Sequence, residues 1–171
     1  MPETGSLTLV IGGARSGKSA YAERLVTGEP PPWTYVATAE PFDEEMADRI
    51  ATHRARRGGG WMTVEASLDL AGAIGAIPAG RPVLVDCLTI WLSNQMLAGR
   101  DADQASAGLA EVLASRRGPW FVVSNEVGQG IVPDNRLARQ FRDAAGRLNQ
   151  RVAAAADHVH LLVAGIPLKV K

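Results

Sequence analysis

A glycine-rich segment near the start of the sequence has the residue types that bind nucleotide phosphates. It comprises Gly12, Gly13, Ala14, Arg15, Ser16, Gly17, Lys18 and Ser19, which fit the pattern G-x-x-x-x-G-K-[ST] in full. Backbone N–H groups in such a loop converge on phosphate oxygens, and the helix that follows adds its positive N-terminal end. We expect Lys18 to reach the β- and γ-phosphates and Ser19 to coordinate Mg²⁺. The segment predicts a site for a nucleoside triphosphate.

A carboxylate, Asp86, ends an apolar run that begins at Pro82. Proteins with this glycine-rich loop use an acidic residue at the end of a core strand to help hold the magnesium ion. Alternatively, Asp86 is an ordinary cap of the helix predicted from Leu88. The glycine-rich loop favours the first interpretation, and we predict that Ser19 and Asp86 are the metal ligands.

An arginine-rich segment with one histidine is the second candidate for chemistry. Residues 43–57 predict a helix, because acidic residues come first and arginines last, as the helix dipole favours. Arg49, His53, Arg56 and Arg57 share one face of that helix. Neutral imidazole, whose unperturbed pKa is ~6.5, is a nucleophile that could attack an α-phosphate, forming a nucleotidyl-histidine and expelling pyrophosphate. The alternative is a solvated basic face with an incidental histidine.

The other histidines and the cysteine are predicted to have structural roles. His158 and His160 lie in a predicted strand, and Cys87 follows a strand end as a small buried side chain would. A single cysteine excludes an intramolecular disulfide and a cysteine-rich zinc site, and it suits a reducing compartment.

The composition of the whole chain bounds the class of protein. Its 171 residues are about the length of one domain, and 46% of them are hydrophobic. Eighteen basic residues balance eighteen acidic ones, so the net charge does not indicate nucleic acid or an anionic membrane as a partner. No apolar stretch approaches the ~18 residues of a membrane span, and residues 1–6 do not resemble a secretion signal. We therefore expect a soluble cytoplasmic protein.

Segments with strand and helix patterns alternate along the chain and would position these groups. Apolar or β-branched runs predict strands at 7–11, 33–37, 61–65, 82–86, 120–124 and, last, 158–163. Periodic or capped segments predict helices at 16–26, 43–57, 67–77, 88–97, 103–116 and 134–156, with a long turn at 125–133. The alternation indicates an α/β fold with a parallel sheet covered by helices on both faces. No linker or repeat divides the chain, so we predict one domain over residues 1–171.

Several segments together resemble the bifunctional adenosylcobinamide kinase / adenosylcobinamide-phosphate guanylyltransferase family of cobalamin assembly. They are residues 12–19 (GGARSGKS), 43–57 with 61–65, 85–94 (VDCLTIWLSN), 124–151 (SNEVGQGIVPDNRLARQFRDAAGRLNQR) and 165–171 (GIPLKVK). The resemblance implies a P-loop NTPase fold with a RecA-like, mostly parallel sheet, a homotrimer and two reactions. ATP or GTP first phosphorylates the aminopropanol hydroxyl of adenosylcobinamide. GTP then guanylylates an enzyme histidine, from which the substrate phosphate takes GMP to give adenosylcobinamide-GDP.

The same resemblance assigns residues to these reactions. His53 is an implied catalytic residue, because it is the histidine that matches the family's guanylylated one. Lys18 of the glycine-rich loop is the other predicted catalytic residue. Nucleotide contacts outside the glycine-rich loop carry over to Val36, Ala37, Thr38, Arg54, Ala55, Arg56, Arg57, Glu65 and Asp86. The chain departs from the family in having Thr52 before the histidine where many members have a second histidine.

Two other functions stay open at this point. A plain small-molecule kinase would use the glycine-rich loop without needing His53, and a non-catalytic module would hold nucleotide without consuming it. Asn125, Glu126 and Asn135 lie in or just after the predicted turn, where we expect them to shape the substrate side or a subunit contact. Gln129 stands where we expect an apolar residue, which bears on local packing rather than on chemistry.

Overall fold

The structure, a computed structural model, describes residues 5–171, except for the side chain of Arg49. Its strands are β1 (Leu7–Gly12), β2 (Trp33–Ala37), β3 (Trp61–Glu65), β4 (Val83–Asp86), β5 (Trp120–Asn125), β6 (His158–Val163) and β7 (Ile166–Lys169). Its helices are α1 (Lys18–Thr27), α2 (Glu44–Arg56), α3 (Leu70–Gly75), α4 (Leu88–Leu97), α5 (Ala102–Ala114) and α6 (Arg136–Ala155).

The strands form one sheet in the order β3-β2-β4-β5-β1-β6-β7. Strands β1 to β6 pair in parallel, and β7 pairs antiparallel with β6 at the edge. Strand β5 lies between β1, which leads into the glycine-rich loop, and β4, which ends at Asp86. The α/β fold with a mostly parallel sheet is therefore confirmed.

Alternate strand residues divide the core into two layers. Leu9 of β1 and Val122 of β5 pack in the larger cluster with α3, α4, α5 and α6. Their neighbours Val10 and Phe121 pack in the other cluster with Ala22 of α1. Successive strand side chains point to opposite faces, so the sheet is covered by helices on both, as predicted.

The strand predicted over 158–163 is present as β6, but the prediction that it is the last strand was wrong. The chain turns at Ala164 and Gly165, which both have positive φ, and returns as β7. Pro167 within this short segment is unfavourable in a strand, since proline donates no ladder hydrogen bond. An edge strand tolerates it because its outer side needs no donor.

Helices α1 and α3 begin later than predicted for local reasons. Helix α1 begins at Lys18 rather than residue 16, because Gly17 before it has φ 92°, which is left-handed. Helix α3 begins at Leu70 rather than residue 67, where Asp69 caps it by accepting the Gly72 N–H at 3.0 Å. Within the described residues, no helix combines the length and apolarity needed to cross a bilayer.

Candidate active site

Four parallel strands deliver candidate residues to one edge of the sheet. Strand β1 ends at Gly12, β2 at Ala37, β3 at Glu65 and β4 at Asp86. Ala37 is in register with both Glu65 and Asp86 on its two neighbouring strands. Because the carboxyl ends of parallel strands meet at one edge, and such edges hold the ligands of open α/β sheets, the topology brings these distant segments together.

The glycine-rich loop rests against the turn between β6 and β7. The Gly165 N–H donates to the Ser16 carbonyl at 2.9 Å. A Cβ on Gly17 would lie 3.3 Å from the Cα of Gly165, and the left-handed φ at position 17 also favours glycine. The hairpin that sequence analysis missed therefore supports the loop from behind.

Lys18 is nearly buried within the loop, with 7% of its surface exposed. Its Nζ donates to the Gly13 carbonyl at 2.5 Å and to the Ser16 hydroxyl at 3.4 Å. Burial lowers the pKa of Lys18, and the nearby Asp86 carboxylate opposes that shift. The structure thus holds this amine against the loop and near an acid.

Asp86 does not cap the helix that follows it. Helix α4 has Cys87 at its N-cap, without a side-chain capping bond, so the capping interpretation was wrong. Burial raises the pKa of Asp86 above its usual value, whereas the nearby hydroxyls of Ser19 and Tyr35 favour the charged form. The Tyr35 hydroxyl donates to Oδ2 at 3.2 Å. A buried carboxylate beside a serine hydroxyl is an oxygen donor set that suits Mg²⁺.

A cleft of about 680 Å³ lies between the glycine-rich loop and helix α2. Its lining comes from the loop and α1, from β2 and the residues after it, from α2, and from the segment after β4. These residues are Arg15, Ser16, Gly17, Lys18, Ser19, Ala20, Tyr35, Ala37, Ala39, Met46, Ile50, His53, Arg54, Arg56, Arg57, Asp86 and Ile90. A cleft of this volume is large enough for a nucleotide.

His53 lies in the last turn of α2 with its half-buried ring on this cleft. Asp43 starts the helix by accepting the Met46 N–H at 2.8 Å. The Nδ1 atom of His53 is buried and has no hydrogen-bond partner among the described residues. The ring therefore meets the cleft through its other atoms, and the loop and the histidine share one cavity.

Two arginines of α2 make ion pairs with carboxylates on other elements. Arg54 Nη2 lies 2.5 Å from Glu65 Oε1, and both side chains are at least half exposed. Arg56 Nη2 lies 2.8 Å from Glu23 Oε2, and the Glu23 side chain is only 17% exposed. These pairs join α2 to the end of β3 and to α1.

Arg57 follows α2 and lies over an aromatic ring. Its guanidinium carbon is 3.5 Å from the Tyr35 ring centroid, a cation–π contact. Its Nη1 atom is buried and unpaired among the described residues. Burial and the Asp86 charge raise the pKa of Tyr35, so the hydroxyl stays a donor toward that carboxylate.

Four groups of predicted contact residues do not line the cleft. Val36 is fully buried in the core, and Ala55 is exposed but absent from the lining. Glu65 does not line the cleft but forms an ion pair with Arg54, which does. Residues 12–14 form the start of the loop outside the lining.

Thr38, another predicted nucleotide contact, instead ties two strand ends together. It is fully buried, and its hydroxyl donates to the Cys87 carbonyl at 2.7 Å and accepts the Cys87 N–H at 2.9 Å. Burial raises the pKa of the Cys87 thiol to about 11, so this free cysteine stays protonated, as its predicted structural role requires.

Sequence analysis missed Glu23 and Tyr35, and two apolar wall residues, Met46 and Ile50. Glu23 lies one helical turn after Ser19, so a check of that helix face could have found it. Tyr35 alternates with the buried Val36 along β2, which would have placed it on the opposite face. The apolar pair carries no signal of a site beyond ordinary amphipathicity.

The remaining histidines are part of a separate cluster. The His160 Nδ1 atom lies 2.9 Å from the Tyr21 hydroxyl, and burial lowers the pKa of His160. The His158 and His160 ring centroids are 6.4 Å apart. Neither ring lines the cleft, in agreement with the structural role predicted for both.

The loop between β5 and α6 is organised by its own polar side chains. The Glu126 carboxylate accepts the Gly128 N–H at 2.7 Å, and Asn135 caps α6 by accepting the Ala138 N–H at 2.7 Å. Asn125 is the last residue of β5. Glu126 and Asn135 therefore have local structural functions that their sequence context did not reveal.

Solved structures share the fold of this chain. An ATPase from the type III secretion system of pathogenic bacteria aligns with a TM-score of 0.59 at 13% identity, over 94% of this chain and 51% of the ATPase. This chain thus spans about half of that ATPase. A Pyrococcus horikoshii protein aligns with a TM-score of 0.58 at 9% identity, over 98% of this chain and 87% of the other. The likeness confirms the P-loop NTPase fold.

Comparisons of sequence identify the family. The family model described as "Cobinamide kinase / cobinamide phosphate guanyltransferase" matches residues 8–170. The bifunctional adenosylcobalamin biosynthesis protein CobP of Pseudomonas aeruginosa is 45% identical over 166 residues, 95% of this chain and 96% of the relative. The bifunctional adenosylcobalamin biosynthesis protein CobU of Salmonella typhimurium is 44% identical over 181 aligned positions, 96% of this chain and 99% of the relative. The chain belongs to the cobinamide kinase / cobinamide phosphate guanyltransferase family.

Proposed function

We propose that this chain catalyses two successive transfers to adenosylcobinamide within one domain and one cleft. ATP or GTP first gives its γ-phosphoryl group to the substrate hydroxyl, and GTP then gives GMP through a guanylyl-histidine at His53. The observation that carries the proposal is that the glycine-rich loop, Asp86 and His53 line the same cleft of about 680 Å³. Membership of the family supports this choice of substrates.

In the first transfer, the substrate hydroxyl attacks the γ-phosphorus and the nucleoside diphosphate leaves. Lys18 is the residue that meets the phosphate charge, because its amine already lies within the loop. Phosphate oxygens would replace the Gly13 carbonyl as its partner, and a charge-assisted bond is the stronger of the two. The lysine thereby stabilises negative charge that moves onto the leaving diphosphate.

Ser19 and Asp86 are the residues that would hold Mg²⁺. The ion supplies charge neutralisation at the phosphates when it is bound. The fit rests on the buried Asp86 carboxylate, whose charged form burial disfavours and a cation would favour. The Tyr35 hydroxyl, which donates to Oδ2, orients this carboxylate.

In the second transfer, His53 displaces pyrophosphate from the α-phosphorus of GTP. A bond forms between a ring nitrogen and phosphorus, and the bond to the bridging oxygen breaks with its electrons on pyrophosphate. The phosphate of phosphorylated adenosylcobinamide then attacks the same phosphorus and releases the histidine. Two easier steps replace one difficult displacement between two anions.

The arginines around His53 would bind the triphosphate. Arg54 and Arg56 each pair with a carboxylate through one nitrogen, and a phosphate can accept from arginine in bidentate geometry and carries more charge. Arg57 has an unpaired buried Nη1 atom that could donate to an oxygen of the nucleotide. Ala37 lines the cleft, whereas the other implied contacts, at Val36, Thr38, Ala55 and Glu65, belong to the proposal on the family resemblance alone.

A homotrimer and a cytoplasmic location complete the proposal. Both follow from the resemblance and the composition, and the buried free thiol of Cys87 agrees with a reducing compartment. Sedimentation of the purified chain would test the trimer.

The decisive experiment labels the protein with GTP that carries ³²P at the α-position. The wild-type chain should become labelled through a bond that is labile in acid and stable in alkali, and His53→Ala should take no label. His158→Ala is the matched control, because that ring is exposed and outside the cleft, and it should label normally. A labelled His53→Ala protein would contradict the proposal.

The same assay separates the alternatives. A chain that phosphorylates cobinamide from γ-labelled nucleotide but never takes the α-label would be a plain kinase. A chain that binds nucleotide and does neither would be a binding module.

A further inference from the structure

Three buried polar atoms near the cleft have no hydrogen-bond partner among the described residues. They are Nδ1 of His53, Oε1 of Glu23 and Nη1 of Arg57. Buried polar atoms are rarely left unpaired in folded proteins, so these three need a specific explanation. The arginine nitrogen is a donor, the histidine nitrogen can be a donor, and the carboxylate oxygen is an acceptor. A hydrogen bond between two members of the set is therefore chemically possible.

Glu23 reaches the part of α2 that carries His53. Its Oε2 accepts the Arg56 Nη2–H at 2.8 Å, and Arg56 follows His53 by three residues. Side chains three residues apart on a helix are neighbours, with Cβ atoms about 5–6 Å apart. The charges of His53 and Glu23 both influence the pKa of Asp86, in opposite directions, so both act on the same carboxylate.

The burial of Nδ1 decides which ring nitrogen of His53 can react. A neutral imidazole attacks with the nitrogen that bears the lone pair, and its other nitrogen bears the hydrogen. Because Nδ1 is buried while the ring lines the cleft, Nε2 is the nitrogen that can meet a phosphate. The hydrogen then lies on Nδ1, which needs an acceptor that arginine side chains cannot provide.

We propose that Glu23 is a positioning residue for guanylyl transfer. Its Oε1 is not hydrogen-bonded to His53 in this structure, and a side-chain rotation would let it accept the Nδ1–H of His53 and leave Nε2 as the nucleophile. The inference rests on the proposed function of His53. The arrangement follows the logic of a carboxylate that holds an imidazole in one tautomer and stabilises its cationic form.

The two steps balance with this assignment. The Nε2 lone pair forms the bond to the α-phosphorus, and the electrons of the phosphorus–oxygen bond leave with pyrophosphate. The ring is then cationic, and its Nδ1 proton stays on the bond to Glu23. When the substrate phosphate attacks, the phosphorus–nitrogen bond breaks and its electrons return to Nε2.

The first test uses the wild-type protein and needs no variant. Correlation NMR between phosphorus and ring protons locates the guanylyl group, since phosphorus on Nε2 is adjacent to both carbon-bound ring protons and phosphorus on Nδ1 to only one. We expect correlations to both protons. A labelled protein with phosphorus on Nδ1 would overturn this inference and leave the proposed function intact. A wild-type protein that takes no label would overturn both.

The second test compares Glu23→Gln with Asp103→Asn, which removes an ion-paired carboxylate from α5 outside the cleft. We expect Glu23→Gln to lower the single-turnover rate of guanylylation at saturating GTP roughly 10- to 100-fold. Asp103→Asn should keep the wild-type rate. Wild-type guanylylation by Glu23→Gln would contradict the assignment.

The third test is spectroscopic and separates positioning from loss of packing. The chain has three histidines, so ¹⁵N-labelled rings are few enough to assign with His53→Ala. In the wild-type protein His53 should carry its hydrogen on Nδ1, and Glu23→Gln should shift the population toward the other tautomer. An unchanged tautomer in a folded Glu23→Gln protein would show that Glu23 does not hold the ring.

Discussion

The two walls of the cleft are held in place by different forces. The glycine-rich loop and α1 are anchored in the core, since Lys18, Ala22 and Val26 are buried and the β6–β7 turn supports the loop. Among its described side chains, α2 has none in the buried class, and it is held by ion pairs and by the contact of Arg57 with Tyr35. Burying an apolar side chain contributes ~1.5–3 kcal/mol, whereas an exposed ion pair contributes ~0.2–1 kcal/mol.

The difference relates to the chemistry proposed for each wall. A phosphate cradle stabilises charge best when its groups are fixed before the reaction, and burial in a core fixes them. The α2 wall must release its arginines from carboxylates when they bind phosphates. Weak, polar contacts permit that exchange at low cost.

The largest expected effect lies on the rigid wall. Lys18→Ala should lower kcat for phosphoryl transfer by about 10²–10³-fold, because a positioned charge is removed from the β/γ-phosphate region. Steady-state phosphorylation of the corrinoid substrate measures it. Lys169→Ala, an exposed lysine on β7, is the control and should be silent. An active Lys18→Ala enzyme would remove the basis for calling this wall the phosphate cradle.

A smaller effect tests the α2 wall directly. Amide hydrogens of α2 should exchange at least about tenfold faster than those of α1, equivalent to ~1.4 kcal/mol less opening free energy. The reason is that few apolar contacts are lost when α2 opens. Hydrogen exchange read by mass spectrometry compares the two helices in one protein, so each is the other's control. Equal protection would show that the charged contacts hold α2 as firmly as the core holds α1.

The smallest expected effect is on thermal stability, and it comes from the buried carboxylate of Asp86 on the rigid wall. Burial raises the pKa of Asp86, so its charged form destabilises the folded chain as pH rises through that pKa, and the cost is absent below the usual value of 3.8. Asp86→Asn should therefore raise Tm at pH 8 without nucleotide, by about 2–4 °C for each kcal/mol.

The gain in Tm of Asp86→Asn should shrink toward pH 4, which thermal scans at several pH values would show. Asp134→Asn, an exposed aspartate before α6, should not change Tm with this pH dependence. A variant less stable than the wild type at pH 8 would contradict the assignment of a desolvation cost to Asp86.

Most elements followed from local pattern because their signals are local. The bounds of β2, β3 and α4 match their predictions, since alternation or an apolar run between Gly and Pro signals defines each one. Strand β7 was missed because an edge strand at the surface needs neither an apolar run nor freedom from proline. Its exposed residues carry no burial signal, and pairing with β6 alone makes it a strand.

The residues of the site also fall into two groups, those that local spacing predicts and those that only the fold reveals. Lys18 and Ser19 follow from spacing, and the position of Asp86 at a strand end agreed with the expected edge of the sheet. Glu23 and Tyr35 could not be found this way, because a lone acid on a helix and an aromatic in a strand are common everywhere. Only their contacts with Arg56 and Arg57 show that they belong to the site.

The amino-acid sequence by itself determined the phosphate-binding loop, because backbone turns and a helix start depend on neighbours within eight residues, Gly12–Ser19. It also determined the family, since matching segments span nearly the whole chain. The tertiary structure alone decided that His53 faces that loop and that Glu23 approaches the same helix face. The relative positions of these residues depend on the strand order. Packing of the whole sheet selects that order, and no local spacing encodes it.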